Sequence, residues 1–438
     1  MTRRMFALML VLILAMGALP AVARADEPIV LKFWGGVPAE YGPSQVVERF
    51  NEEYKDRGIQ AEYVRYVNDS TGNMKLETTL LAGGEIDVYM TYSLTNLVKR
   101  GEGGMAVELS RQLEEAGFDM VAEQGDLAKP FIFEGGKIFG IPTKFENYFI
   151  LANVDMFDAA GIELPLQGWT YDQFREAAMK LTSGEGQDKV YGMFWNSEQE
   201  IFRPSMIAQT VLGDDYYYAD GGAATNFDHE EFVVLNQMIQ DMMYVDGSTI
   251  THTDDVTQQL TVESTYLAGK AAMSLGVWAI RSIKDLEKFP HDFETAYLPV
   301  PVRDPAQAKY TVSDMTVGDY ICMSADTKHP AEVLEFMLWY TREGMVEGTP
   351  YGRVPLNKAI SNETKLEAYM KGGEGILHPV SVEKFLDIPD NLPVNTITTK
   401  MAEIQKVLNE ALERVYTNSV DAQTALTEAK QQADAFLK

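Results

Sequence analysis

The sequence predicts an α/β protein of two lobes, and three observations lead there. The chain has 438 residues, about twice the usual size of one domain. Strand-like and helix-like patterns alternate through residues 30–90, an order that calls for parallel pairing with right-handed crossovers. No internal repeat, low-complexity tract or flexible linker divides the chain, so the lobes should be joined by strands that cross between them.

The elements follow in order. Val30 to Trp34 is a short apolar run suited to a buried parallel strand. Ser44 is placed to cap a helix carrying Val47, Phe50 and Tyr54 on one face, with Gly58 as its stop. Ile59 to Val67, rich in Tyr and Val, reads as the second strand. A helix with Met74, Leu80 and Leu81 ends at Gly83-Gly84, and Ile86 to Met90 is the third strand. Ile138–Pro142 and Tyr148–Ala152 read as two strands, followed by a short helix from Val154 to Ala160 closed by Gly161. Thr170 and Gln173 fit a reciprocal capping box. Phe174, Ala177, Ala178 and Leu181 then form one apolar stripe. Tyr266 to Ile280 changes from helix to strand, and Tyr297 to Pro301 is extended. Pro330–Thr341, Met401–Val415 and Ala422–Leu437 close the chain as helices.

The N-terminus reads as an export signal. Arg3 and Arg4 precede an apolar run from Phe6 to Leu19, and Ala23-Arg24-Ala25 is a small-x-small cleavage site. The run is short for a membrane span, and cleavage is expected after Ala25. The sole cysteine, Cys322, permits no disulfide within one chain and reads as a buried small hydrophobe. No cysteine stands at the cleavage site, so the mature chain is expected to be periplasmic or secreted, soluble, and not lipid-anchored. Losing Arg3, Arg4 and Arg24 with no acid takes the net charge from −28 to −31. That field opposes nucleic acid and anionic lipid as partners.

Motifs for chemistry are absent. Gly101 to Ala106 matches a loose dinucleotide loop but follows a helix end rather than a strand. There is no G-x-S-x-G elbow. His229, His252, His291, His329 and His378 lack metal-ligand spacing and read as surface or loop residues; no metal or cofactor is expected. Asp214-Asp215 and Asp254-Asp255 read as solvated acid pairs. The expectation is a binder and not an enzyme, with a secreted carbohydrate-active enzyme using a cleft acid pair as the remote alternative.

Four ordered blocks carry a resemblance: Phe33-Trp34; Leu81 to Val88; Gly136 to Pro142 continuing to Asn153, Phe157, Ala160-Gly161-Ile162 and Trp169; and Gly269 to Met273 with Trp278. Together, behind an export signal, they resemble the extracellular solute-binding proteins of ABC importers, the maltose-binding-like cluster of family 1. Glu85-Ile86 departs from that pattern where the family has proline before aspartate, and Ala152 stands where it often has tyrosine.

The resemblance implies a two-lobed periplasmic-binding-protein fold of type II with hinge crossovers. It implies crossovers near Phe145–Asn147, Phe293–Leu298 and Ala325–Lys328. The N-terminal lobe would hold 26–144 plus 298–326, and the C-terminal lobe 145–297 plus 327–438. It implies an uncatalysed role: a sugar or oligosaccharide held between lobes and passed to membrane permease subunits by a monomeric protein. A glycerol-phosphate-type ester is the alternative ligand, and would need cations or a helix N-terminus converging on the cleft.

Candidate ligand-binding residues lie at predicted strand ends and on the implied hinge. Trp34 and Gly35 end the first strand, Trp34 serving as ligand wall or core anchor, with Glu40 beyond them. Thr91, Tyr92 and Ser93 end the third strand, where hydroxyls can meet ligand, Ser93 also being placed to cap a helix. Glu146 matches a hinge acid that accepts sugar hydroxyls. Trp195 and Asn196 follow the strand-like Tyr191 to Phe194. Trp278 offers a flat face to sugar C–H groups. Gly318 and Asp319 resemble an interlobe loop, and Arg353 is placed either in the cleft or on a surface acid.

Overall fold

The computed structural model describes residues 28–197, 201–276, 279–309, 313–387, 393, 395–397 and 399–438, with backbone alone for 146–147 and 313–316. The expected signal peptide and Trp278 lie outside the described residues, as does the side chain of Glu146.

Strands β1 (Ile29–Gly35), β2 (Ile59–Arg65) and β3 (Val88–Thr91) pair in parallel with β1 central, as the alternating pattern predicts. The residues read as two strands around 138–152 form one, β4 (Ile141–Asn153). A two-residue hairpin, β5 (Tyr218–Ala219) and β6 (Ala224–Thr225), stands apart. Four strands follow: β7 (Met273–Gly276), β8 (Thr295–Leu298), β9 (Ser313–Met323) and β10 (Val354–Pro355).

β4 organises the molecule by changing partners along its length. Its first half runs antiparallel to β9 and β10, and β9 in turn pairs with β3. Its second half, from Phe149, lies between β7 and β8. The register with β9 shifts between Glu146 and Tyr148, a bulge at the point of change; bulges bend a strand and end its pairing. The expected first crossover at Phe145–Asn147 falls there.

The apolar side chains form two large cores. One gathers Leu31, Phe33, Phe50, Val88, Leu97, Ile141 and Ile321, and continues past the bulge to Tyr266, Tyr297 and Tyr369. The other gathers Ile150, Phe157, Phe174, Trp195, Phe232, Leu412 and Ala425. Cys322 is fully buried, and burial pushes its thiol up to about 12, so it is inert at neutral pH.

Local signals hold well. Thr170 Oγ1 accepts from Gln173 N–H at 3.2 Å while Gln173 Oε1 accepts from Thr170 N–H at 2.8 Å, and the predicted stripe is buried. Ser44 is a correction. The helix begins at Pro43, whose fixed φ suits the first turn, with Gly42 ahead of it and no side-chain cap.

Near the implied third crossover, 325–328, the chain stays on the first core. The helix Pro330–Arg342 packs on it, with the Phe336 ring 5.3 Å from Phe33 and 4.8 Å from Phe50. The chain passes on at β10, which pairs with Lys144 and Phe145. Beyond it, Tyr369 and Phe385 pack on Tyr297. Residues 330–342 therefore pack within the first core.

Candidate ligand-binding site

The ends of β1 and β3 bring several predicted residues together. Trp34 is half-buried, its Nε1–H has no partner, and Lys75 Nζ lies 5.9 Å from its ring centre. Gly35 is required by its neighbour: a Cβ there would come within 2.7 Å of Tyr63 Oη, which is held on Val37 O at 2.6 Å. Tyr92 Oη accepts from Gly36 N–H at 2.6 Å, tying the two strand ends together. Burial, and then the Asp319 charge, hold its phenol well above the ordinary value, so Tyr92 stays neutral and able to donate. Glu40 is exposed.

Thr91 and Ser93 have other work. Thr91 is fully buried and accepts from Arg100 Nη1 at 2.7 Å; Arg100 also holds Asn73 Oδ1 at 2.6 Å. Thr91 thus satisfies a buried guanidinium rather than facing solvent. Ser93 Oγ accepts from Asn96 N–H at 3.2 Å and caps the helix Leu94–Glu102.

At the change of partners along β4, Lys144, Asp319 and Arg353 form a buried cluster. Gly318 pairs with Lys144 in the β4–β9 ladder. Asp319, at φ +51°, turns its carboxylate to Arg353 Nε at 3.0 Å and Lys144 Nζ at 3.5 Å. Burial pushes the Asp319 carboxyl up, but Lys144 and Arg353 outweigh it and hold the group below its usual value. Arg353 therefore pairs with a buried acid, not a surface one. Its Nη1 has no partner and sits by a cavity of about 20 Å³ that Tyr63, Tyr92 and Tyr340 also line, room for one water.

In the second core, Trp195 is 2 % exposed and packs 5.5 Å from Phe174, a core anchor. Asn196 follows at φ +52°, its Oδ1 buried without a partner. The next residue was missed by sequence reasoning. Ser197 Oγ lies 2.9 Å from His252 Nδ1 and 3.1 Å from Asp255 Oδ2, with all three side chains buried. His252 is thus no surface histidine, and Asp255 no solvated acid. Both partners meet on the serine, an arrangement unlike a chain in which the acid holds the base and the base holds the serine. A lone serine hydrogen given to the carboxylate leaves Nδ1–H to donate to Oγ, so the three make a chain that holds Ser197. Burial pushes the His252 imidazole down, with Glu413 opposing.

Lys144 had a signal, a lysine inside an apolar strand; Ser197 and His252, 55 residues apart, had none. Among the described residues no group of three or more His, Cys, Asp or Glu is placed to hold a metal ion, and no helix is long and apolar enough to cross a membrane.

The family model described as bacterial extracellular solute-binding protein matches residues 38–347, well over half of the chain. The chain belongs to the bacterial extracellular solute-binding proteins. This solute-binding protein is 24% identical over 313 residues to a putative binding protein of Brucella abortus (strain 2308), covering 69% of each. Its fold is that of a sugar transporter from Rhizobium etli in an open conformation, at TM-score 0.74 and 18% identity over 93% of this chain and 99% of that one. A maltose-bound MalE3 of T. maritima gives TM-score 0.68 at 18% identity, covering 94% and 100%. UgpB of Mycobacterium tuberculosis in complex with glycerophosphocholine gives 0.70 at 14%, covering 94% and 98%. These likenesses establish the mixed α/β, maltose-binding-like fold of this solute-binding protein. An extracellular family accords with the export signal expected at its N-terminus.

Proposed function

We propose that this protein is the substrate-binding component of an ABC importer, free of the membrane, that holds an uncharged sugar or oligosaccharide between its two lobes and delivers it unaltered to permease subunits. The observation that carries the ligand class is the Lys144–Asp319–Arg353 cluster. Both cations are engaged by the Asp319 carboxylate, which offsets one of their two charges, and the cavity beside them, about 20 Å³, is too small for a phosphate. The neutral Tyr92 phenol lines the same cavity, and the Trp34 indole with its unpaired N–H ends the neighbouring strand β1, groups suited to hydroxyls and sugar faces. Gly35, Gly318 and Asp319 position these groups. The family resemblance adds Glu146 on the hinge and Trp278, and Asn196 follows the strand-like Tyr191–Phe194 run.

Ligand contact with both lobes favours the closed form by the difference of its affinities for the two states. Calorimetric titration with maltose, raffinose, trehalose and glycerol 3-phosphate, followed by chromatographic recovery, tests the reading. It predicts one-to-one uptake of a sugar recovered intact. Uptake of the phosphate alone, or conversion of the sugar, contradicts it.

A further inference from the structure

A second cavity lies away from Trp34, Tyr92 and Asn196, on either side of Glu146 along β4. It has a volume of about 480 Å³ and is bounded by Phe145, Tyr148 and Phe149 of β4, by residues 297–308 after β8, by the loop 166–169, and by the end of the helix Pro379–Leu386. That volume suits a small molecule. None of Trp34, Tyr92, Asp319, Arg353, Trp195 or Asn196 lines it.

Its chemistry differs from that of the sugar site. The inner wall is aromatic: Phe149 stacks on Tyr297 at 4.2 Å, and Phe385 stands edge-on to Phe149 at 4.9 Å. The polar atoms on this wall are already engaged. Trp169 Nε1–H donates to Pro299 O at 2.8 Å, Tyr297 Oη meets Tyr369 Oη at 3.1 Å, Gln173 closes the capping box, and Tyr148 Oη receives Arg203. A hydroxyl-rich guest would lose its hydration here and gain few hydrogen bonds in return. A flat ring system would find faces and edges to stack against. Polar groups gather at the exposed rim, where Gln167, Lys384 and Asp387 lie.

We propose that this cavity is a second binding site, specific for a flat, predominantly apolar aromatic molecule and separate from the sugar site. The site stands on both segments that carry the chain past the bulge, β4 and the 299–308 connection. An occupant therefore touches the parts that bend, and its binding is linked reciprocally to whatever closes the lobes.

The neutral fluorophore N-phenyl-1-naphthylamine is the probe. Titrated into the full mature chain, it should give a saturable, one-to-one, blue-shifted emission. Ala308→Trp and Leu166→Trp fill the cavity from two different walls at partly exposed positions. Each should weaken the probe by about tenfold or more while melting as the parent does. Absence of a saturable signal overturns the proposal. So does parental affinity in both variants with unchanged melting. Should one variant unfold, the other decides.

Discussion

The Asp319 carboxylate lies 3.0 Å from Arg353 Nε, with both side chains buried, and this pair joins β9 to the lead-in of β10 across β4. Removing one partner of such a pair strands the other without solvent. Asp319→Asn should cost about 3–5 kcal/mol, read by denaturant unfolding. Because the folded carboxyl lies below its ordinary value, its contribution is complete above pH about 4 and is lost as pH falls through the folded value. The variant should therefore lose part of the parent's acid-induced destabilisation.

Gly35 tests the packing under the site. A Cβ at that position meets Tyr63 Oη at 2.7 Å and Cε2 at 2.8 Å, and the tyrosine is pinned by its bond to Val37 O. Gly35→Ala should lower stability by about 1–3 kcal/mol. Tyr63→Phe frees the ring end, and the double variant should recover part of the loss in thermal melts.

Two tryptophans should behave oppositely. Trp195→Ala opens a cavity in a packed core and should cost about 3–5 kcal/mol in the ligand-free protein. Trp34, half-buried with its N–H unpaired, should leave ligand-free melting nearly intact as alanine while abolishing the ligand-induced shift. Trp278→Ala should resemble Trp34→Ala.

His252 supplies a pH dependence of its own. Its folded value lies below the ordinary imidazole value, so its contribution is complete above pH about 6.5 and is lost as pH falls through the folded value. Melting measured between pH 7.5 and pH 5, flanking that value, should fall less steeply in His252→Gln than in the parent.

What the sequence made legible was local or periodic. The Thr170–Gln173 box, the Phe174–Leu181 stripe, the buried Cys322 and the parallel β1–β3 arrangement depend on neighbours a few residues apart or on an alternation that fixes topology. What it hid depends on distant pairs. Nothing near Pro330 states that Phe336 will meet Phe33, nor near Ser197 that His252 will arrive. Thr91 sits where a ligand contact is expected, but the guanidinium that occupies its hydroxyl comes from the following helix and buries fully. Charge pattern alone marks Arg353 as a surface cation, because its partner is brought by a strand 34 residues earlier.

The central claim is an uncharged, hydroxyl-rich guest held in a cleft beside cations that a buried carboxylate engages. The most direct test is the melting temperature of the mature chain against a panel of mono- and oligosaccharides and glycerol phosphates. A guest present at about 100 times its dissociation constant should add roughly 2.7 kcal/mol. A rise with one carbohydrate and none with the phosphates is the predicted result. A rise with the phosphates and none with any carbohydrate would contradict it.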